Sequence, residues 1–401
     1  MGWEFVKLGD LVHRKIGYGI VQPGANVDVG VPVIKVNNII SGLSNIELLE
    51  KTTTDIDARY TRTRLVGGEL VISLVGSVGK TAIVPKTFAG CNLVRATGLI
   101  DIKDEILAKW VKYYIDSPLG QAYINSNVNT TVQVTLNIKS LVDMPIPLPD
   151  HAILEKIVAI LSSLDDKIEL NRRINANLEQ QAQAFYKSWF VNFEPFGGKM
   201  PEDWRVGTLG DIIETIESGS RPKGGSETSG VPSIGAEKIE RFGHYEYSGE
   251  KFINRDYFHK MKRGHVKNGD VLLYKDGAYT GKTSMVLDGF PYRECAVNEH
   301  VFILRTVTSK YQFFLYCLMS YPDIRKMVYT LASAKAAQPG LNQTELLGVN
   351  IVVPSYNMIK KFNHFITPHM HQIAINALES SRLAQLRDTL LPKLMSGEIK
   401  V

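Results

Sequence analysis

The chain has 401 residues, of which 44% are hydrophobic and 22% charged, and its formal net charge is +5. This length allows two or three hydrophobic cores, and the modest basic excess permits a polyanionic partner without requiring one. The sequence contains no apolar run of membrane-spanning length, no secretory signal pattern, and only three scattered cysteines. We therefore expect a protein of a reducing, cytoplasmic compartment that holds no metal and no cofactor.

The first 149 residues predict a mixed domain of short strands and loops. Short apolar runs between glycines, such as residues 70–74, are typical of strands. A helical segment at 106–115 should stop before Pro118, because proline cannot continue a helix. The segment 145–149, which alternates proline with aliphatic residues, predicts an extended linker.

A heptad pattern begins at Leu154 and predicts a long helix within residues 150–194. Seam positions recur at alternating intervals of three and four residues over five heptads, which requires a coiled-coil partner. The seam consists of Leu154, Ile157, Leu161, Leu164, Ile168, Asn171, Asn175, Leu178, Ala182, Phe185 and Trp189.

After a linker at 195–203, residues 204–354 repeat the plan of the first domain. The sequence Gly-Val-Pro occurs at 30–32 and again at 230–232, and Gly-Lys-Thr occurs at 79–81 and at 281–283. A helical segment at 313–319 precedes Pro322, as its counterpart precedes Pro118. This ordered series of matches indicates a tandem duplication.

Residues 355–401 predict the second long helix, with seam positions from Ile359 to Leu394 at the same spacing. Pro368 interrupts this seam, so we expect a kink there, with the main helix beginning at Pro368. Asn171 and Asn376 occupy matching places and should face each other across an antiparallel pairing, where buried asparagines commonly fix register. The alternative is that both asparagines face water.

The chain resembles the specificity subunits of Type I restriction–modification systems. The likeness is carried by Leu-Asn-Ile at 136–138 before the proline-rich linker, and by residues 157–165 in the first long helix. Residues 338–342 and the carboxyl-terminal segment 386–399 carry it in the second copy. The pair Glu155-Lys156 departs from the Glu-Gln that the family often has, and we expect no consequence.

The resemblance implies an α+β fold with two mixed globular target-recognition domains separated by a long antiparallel two-helix coiled coil, in a pseudo-twofold tandem repeat. It implies a non-catalytic subunit that binds double-stranded DNA and recruits two modification subunits and restriction subunits, with no membrane partner. The modification subunits would methylate adenine with S-adenosylmethionine, and the restriction subunits would cleave with ATP. Each domain would recognise half of a split target, and the helix pair would set the spacer. Because the two copies differ in sequence, the target should be asymmetric.

Three sequence patterns resemble a nucleotide-binding loop, a nuclease site and a metal site, but none of them predicts such a site. The segment 76–81 ends in Gly-Lys-Thr, yet it has two residues between its glycines where a phosphate-binding P-loop has four. It is either a turn that contacts DNA phosphate or a plain hairpin. Asp150 with the run Asp165-Asp166-Lys167 satisfies a nuclease pattern, but that run lies along the helix. The three histidines His364, His369 and His371 are too loosely spaced to indicate a metal site.

Residues able to hydrogen-bond bases or reach phosphates are the candidate DNA contacts, although any one of them is otherwise an ordinary surface residue. In the first domain they are Tyr18, Gln22, Lys35, Asn37, Ser77, Lys80 and Gln133. In the second they are Arg221, Lys223, Lys238, Lys275, Tyr279, Lys282 and Gln338.

Three other functions stay open at this stage. The chain could be the specificity subunit of a fused restriction–methyltransferase, an adaptor whose coiled coil binds only proteins, or an enzyme acting alone. The absence of methyltransferase and deaminase motifs argues against the last.

Overall fold

The computed structural model describes residues 3–43, 45–129, 133–334 and 340–401. The chain forms two compact units, one of Met1–Asp165 with Ala384–Val401 and one of Asp166–Leu383. Each unit therefore contains part of both long helices, whereas the five segments predicted from the sequence treat each helix as a region of its own. That division into five segments stays a prediction.

The first unit contains short strands, short helices and the start of a long helix. Its strands are β1 Glu4–Lys7, β2 Arg14–Tyr18, β3 Val31–Ile34, β4 Lys51–Thr52, β5 Leu70–Ser73, β6 Thr81–Ile83, β7 Asn92–Leu93, β8 Thr97–Asp101, β9 Val128–Asn129, β10 Thr135–Leu136 and β11 Pro145–Leu148. Its helices are α1 Val36–Ser41, α2 Thr54–Ala58, α3 Glu105–Asp116, α4 Pro118–Ser126, α5 Ile138–Val142 and the first part of α6 His151–Phe190.

An antiparallel sheet of order β2-β8-β5-β6 is the centre of this unit. A smaller sheet of order β4-β3-β7 includes one parallel pair, β3 with β7. Successive residues of β5 point to opposite faces, as the pleat requires. Leu70 and Ile72 pack in one core with Trp110 of α3, whereas Val71 packs in another with Leu93 of β7. The four-stranded sheet is thus buried on both faces.

The second unit has the same plan. Its strands are β12 Arg205–Thr208, β13 Ile213–Ser218, β14 Val231–Ile234, β15 Phe252–Ile253, β16 Val271–Tyr274, β17 Thr283–Met285, β18 Ala296–Val297, β19 Val301–Thr306 and β20 Asn350–Val353. Its helices, besides the end of α6, are α7 Arg255–Lys260, α8 Gln312–Ser320, α9 Pro322–Ser333, α10 Gln343–Leu347 and α11 Tyr356–Met395. The sheet orders β13-β19-β16-β17, β15-β14-β18 and β12-β20 match three of the four sheets of the first unit strand for strand, and the fourth sheet of the first unit pairs β9 with β10. The tandem repeat is therefore present in the topology as well as in the sequence.

The two prolines that were expected to end helices do so, and each also begins a new helix. α3 ends two residues before Pro118, and α8 ends two residues before Pro322. Pro118 and Pro322 are then the first residues of α4 and α9. Proline is favourable at this position because its fixed φ suits the helix and its missing N–H would be unpaired anyway.

The long helices α6 and α11 pack against each other within each unit. In the first unit Ile157, near the start of α6, shares a core with Leu394 near the end of α11. In the second unit Phe190, at the end of α6, shares a core with Ile359 near the start of α11. The start of one helix thus meets the end of the other in both units, so the pairing is antiparallel. All predicted seam positions are buried or half-buried.

The prediction that the main helix begins at Pro368 is wrong. α11 begins at Tyr356 and continues without interruption to Met395. Pro368 is exposed, while Ile366 and Met370 on either side of it are fully buried. Proline removes one backbone hydrogen bond, and burial of these apolar neighbours offsets that loss.

Asn171 and Asn376 are both buried in the helix pair, but their side chains do not bond to each other. Asn376 Nδ2 donates to Asn175 Oδ1 at 2.9 Å, and Asn171 Nδ2 donates to the Glu379 carboxylate at 2.7 Å. In a coiled coil a seam residue inserts between several residues of the facing helix rather than opposite one of them. Asn175, not Asn171, is therefore the side-chain partner of Asn376, and their role in register stays a prediction.

Candidate nucleic-acid interface

Four segments of the first unit meet at one end of its four-stranded sheet. They are the β2–β3 segment, the β5–β6 hairpin, the β7–β8 turn and the segment entering β10. The amide of Arg95 donates to the carbonyl of Ile20, that of Leu74 to Ala96, and that of Leu136 to Leu74, each at 2.8 Å. Backbone hydrogen bonds thus hold the four segments together whatever side chains they carry.

The second unit reproduces this arrangement. The amide of Lys275 donates to the carbonyl of His300 at 3.1 Å, and that of Leu341 to Lys275 at 3.0 Å. These bonds match those of Leu74 and Leu136, so Lys275 is equivalent to Leu74 and His300 to Ala96. We call the hydrogen-bonded segments of each unit a frame. The candidate interface is therefore the same backbone frame in both units, with different side chains on it.

A glycine is required where the first of these segments leaves its strand. A Cβ atom on Gly19 would lie 2.0 Å from the carbonyl oxygen of Leu93, and one on Gly219 would lie 1.6 Å from that of Val297. No other residue fits such a close approach. These two glycines place the segment against the end of β7 and of β18, beside the β7–β8 and β18–β19 turns.

The predicted contacts of the first unit lie mostly at this end of the sheet. Tyr18 ends β2 and is 51% exposed. Gln22, Ser77, Lys80 and Gln133 are also exposed on the four segments. Lys80 makes no ion pair within the described ranges, so its charge is available to a phosphate.

Two further predicted residues follow β3, at the start of α1. Lys35 precedes the helix and its ammonium pairs with Glu50 at 2.5 Å. Asn37 is exposed within the helix. The Lys35 ammonium is therefore partly neutralised before any anion arrives.

The predicted contacts of the second unit are more strongly paired. Arg221 Nε contacts the Glu299 carboxylate at 2.9 Å, and Lys282 Nζ contacts Glu240 at 2.6 Å. Lys275 Nζ lies 3.5 Å from Asp276. Acidic partners thus hold these cations, and an approaching phosphate would compete with carboxylates.

The remaining predicted residues of the second unit differ in their surroundings. Lys223 is exposed, and Tyr279 is 60% exposed with Lys282 Nζ 4.3 Å above its ring centroid. Gln338 lies outside the described residues. An exposed tyrosine that holds a cation over its face offers an apolar surface and a positive charge together.

Lys238 requires a correction, because its ammonium is not available to DNA. The residue is 8% exposed, and Nζ donates to the carbonyl oxygens of Glu246 at 2.7 Å and Ser248 at 2.5 Å. The sequence marked a cation of suitable type but could not show that a loop eight to ten residues later folds over it. Lys238 therefore shapes the fold rather than the surface.

Comparison with known proteins is consistent with this arrangement. Residues 1–180 match the family model described as Type I restriction modification DNA specificity domain. The chain is 27% identical over 317 residues to the MjaIX specificity subunit of Methanocaldococcus jannaschii, covering 75% of this chain and 71% of that one. It is 25% identical over 343 residues to the HindI specificity subunit of Haemophilus influenzae, covering 68% and 72% respectively.

The chain is thus similar to Type I specificity subunits, and the two pairwise matches extend over 75% and 68% of it. A solved S subunit of a Type I restriction–modification system from M. genitalium superposes with a TM-score of 0.56, covering 98% of this chain and 96% of that one. Its sequence identity is 15%, so this likeness concerns the fold. Specificity subunits are non-catalytic components of the restriction–modification complex.

The two catalytic patterns in the sequence have structural explanations. Residues 74–80 connect the antiparallel strands β5 and β6, so the segment is a hairpin and not the strand-to-helix loop of a P-loop. Asp165 accepts hydrogen bonds from Arg387 and Tyr113, which commits its carboxylate to packing of the helices.

Within the described ranges no three His, Cys, Asp or Glu side chains are grouped to hold a metal ion. The described helices also include none that is long and apolar enough to cross a bilayer.

The sequence did not single out several residues that lie in the turns of the candidate interface. Arg95 is exposed in the β7–β8 turn, and Glu299 and His300 occupy the β18–β19 turn. His300 Nδ1 lies 3.0 Å from the Asp276 carboxylate. The repeat itself could have revealed these turns, because each directly precedes a strand that recurs in both copies.

Proposed function

We propose that this chain is a Type I specificity subunit that recognises double-stranded DNA. The four-segment end of each unit would contact one half of an asymmetric, bipartite target. The observation that supports this most is the repeated backbone frame with different side chains. Val75, Arg95 and Ala96 in the first unit correspond to Asp276, Glu299 and His300 in the second. Two frames of equal shape but unequal hydrogen-bonding groups suit two half-sites of unequal sequence.

The phosphate backbone would be contacted by the exposed cations around each frame. Lys80 lies in the first frame, and in the second unit a Cβ on Gly264 would be 2.5 Å from the Cα of Gly219. That close packing brings the exposed Lys262 and Arg263 next to the Gly219–Arg221 segment. Contacts of this kind position a protein on a duplex, while contacts to base edges select the sequence.

The long helices would set the spacer between the half-sites and dock two modification subunits. Restriction subunits would complete the enzyme, which would act in the prokaryotic cytoplasm, at the nucleoid. Support for docking comes from large apolar side chains that face away from the seam. The exposed ones are Ile160, Leu170 and Ile174 on α6, and Ile375 and Leu386 on α11. Exposed apolar side chains on paired helices are typical of surfaces that bind further helices.

Adenine methylation mapped across a genome tests the proposal. A host that lacks methylation of its own would carry the modification subunits with this chain or without it. We expect a split, asymmetric motif to be methylated only when the chain is present. Replacing residues 76–80 with the second unit's hairpin should change one half of the motif and leave the other. Methylation without a motif, or a motif that does not depend on the chain, would contradict the proposal.

The same experiment separates the other candidate functions. A coiled-coil adaptor that binds only proteins would give no chain-dependent motif. A fused restriction–methyltransferase partner would give the same motif, but from one polypeptide instead of separate modification and restriction subunits.

A further inference from the structure

The β7–β8 turn and the β18–β19 turn have the same geometry. The amide of Val94 donates to the carbonyl of Ile34 at 3.2 Å, and that of Asn298 to Ile234 at 3.0 Å. The turns close equally, with the amide of Thr97 donating to Val94 at 2.9 Å and that of Val301 to Asn298 at 3.4 Å. The residue after Val94 is Arg95 and the residue after Asn298 is Glu299. These two residues therefore occupy the same position in the two frames.

Opposite charges thus stand at one structural position. Arg95 is exposed, and within the described part of the chain its guanidinium makes no hydrogen bond or ion pair. The Glu299 side chain is 39% exposed, and its Oε1 atom contacts Arg221 at 2.9 Å and His300 Nε2 at 3.4 Å. Its Oε2 atom is buried and receives no hydrogen bond from any residue that the structure describes. One turn therefore carries a guanidinium without a partner among the described residues, and the other carries a half-exposed carboxylate that Arg221 and His300 contact through one oxygen only.

We infer that Arg95 and Glu299 are equivalent base-contacting residues, and that their opposite charges make the two half-sites differ; this rests on the proposed function. Arginine donates two hydrogen bonds to the O6 and N7 acceptors of guanine, whereas glutamate accepts from the N4 amino group of cytosine. Arg95 therefore selects a guanine in the half-site of the first unit. Glu299 selects a cytosine in the half-site of the second.

Replacing both residues with glutamine tests the inference, because glutamine pairs with adenine N6 and N7. The full chain with its modification subunits would bind a randomised duplex library, and the selected motifs would be sequenced. Arg95→Gln should convert one guanine to adenine in one half of the motif. Glu299→Gln should convert one cytosine to adenine in the other half. Discrimination at the affected position should fall by about 5- to 100-fold, and the remaining positions should keep theirs.

Matched controls come from the opposite ends of the same sheets. Lys103 is exposed beyond the far end of β8, and Glu214 is exposed near the start of β13. Lys103→Gln and Glu214→Gln make the same changes of charge and should leave the motif unaltered. Glu299→Asp keeps the charge beside Arg221 but withdraws the carboxylate by one methylene, so it should weaken the cytosine preference without creating one for adenine. Thermal melting of each complex checks that folding is intact.

The outcomes distinguish failure of the proposed function from failure of the inference about Arg95 and Glu299. If the wild-type complex selects no motif, the proposed function fails. If it selects a motif that both glutamine variants retain at unchanged affinity, the inference fails and the proposed function stands. If Arg95→Gln weakens binding equally for all sequences and lowers the salt dependence by about one phosphate contact, Arg95 binds the backbone, which also overturns the inference.

Discussion

Individual residues of this protein are constrained most strongly where two backbone segments touch. At Gly19 and Gly219 the constraint is steric, because a Cβ would overlap a carbonyl oxygen of the neighbouring strand. At Lys238 the constraint is a pair of carbonyl oxygens that need a buried donor. These three residues act through the backbone, because each fixes where a neighbouring segment lies. Substitutions near this interface can therefore change DNA binding through the fold alone.

Gly219→Ala should destabilise the second unit. The added Cβ would lie 1.6 Å from the Val297 carbonyl oxygen, so the segment must move away from β18. We expect a loss of about 1–3 kcal/mol in the free energy of unfolding, measured by urea denaturation of the full chain. Gly224→Ala in the same segment is the control, since a Cβ there meets nothing within 4 Å. Equal stability of the two variants would contradict the argument.

Among the structural elements, the two four-stranded sheets differ in which strand carries the cation that pairs with a buried carboxylate. A carboxylate, Glu69 or Asp270, is buried just before the central strand β5 or β16. In the first unit its cationic partner is Arg14 on β2, which also contacts Asp101 of β8. In the second unit the partner is Arg305 on β19. The cation therefore stands on the strand next but one to the central strand in the first unit and on the adjacent strand in the second, and the buried ion pair is present in both.

Arg305→Met should destabilise the second unit in a pH-dependent way. Burial raises the pKa of Asp270 above its usual value even though Arg305 lowers it, so removing Arg305 leaves a carboxylate that resists ionisation. An acid whose folded-state pKa is raised contributes stability below that pKa and loses it as the pH rises through it. Loss of the partner should therefore cost about 3–5 kcal/mol at neutral pH and less as the pH falls.

Urea denaturation at several pH values, compared with the wild type, measures this deficit. Arg255→Met is the control, because Arg255 is exposed and pairs with an exposed glutamate, Glu294. A deficit for Arg305→Met that does not depend on pH would show that the lost interaction is packing and not charge.

At the scale of the whole molecule, the positions of the cations determine how strongly DNA affinity depends on salt concentration. The net charge of +5 is small, so affinity for a polyanion must come from where cations stand rather than from their total. The two frames differ in this respect. Lys80 in the first has no ion-pair partner in the described part of the chain, whereas the equivalent Lys282 pairs with Glu240.

Lys80→Ala should reduce the salt dependence of DNA binding more than Lys282→Ala does. Releasing one phosphate contact lowers the slope of log affinity against log salt by about 1, and binding should weaken equally for all sequences. Because Lys282 already has a carboxylate partner, its removal should change the slope less. Titrations of the complex at several salt concentrations measure both slopes. A larger change for Lys282 would contradict this account of the two frames.

Much of the fold was predictable because it depends on periodic patterns. The tandem repeat, the mixed domains, the two long helices and their seams follow from residue spacing, since burial on one helix face imposes a heptad pattern that survives in the sequence. Pro368 is the exception: proline disfavours a helix locally, and only the packing of Ile366 and Met370 overrides that tendency. The choice of Asn175 as the partner of Asn376 also lay beyond the sequence, because spacing does not specify how opposite seams interleave.

By itself the sequence determined the duplication, the helices and the family resemblance, since repeats, heptads and motifs are properties of order along the chain. The tertiary structure decided which polar residues share an interface. It buried Lys238 under a distant loop, paired Arg221 with Glu299, and placed Arg95 and Glu299 at one equivalent position. These outcomes depend on backbone hydrogen bonds between segments far apart in the chain, and such bonds leave no periodic trace in the side chains.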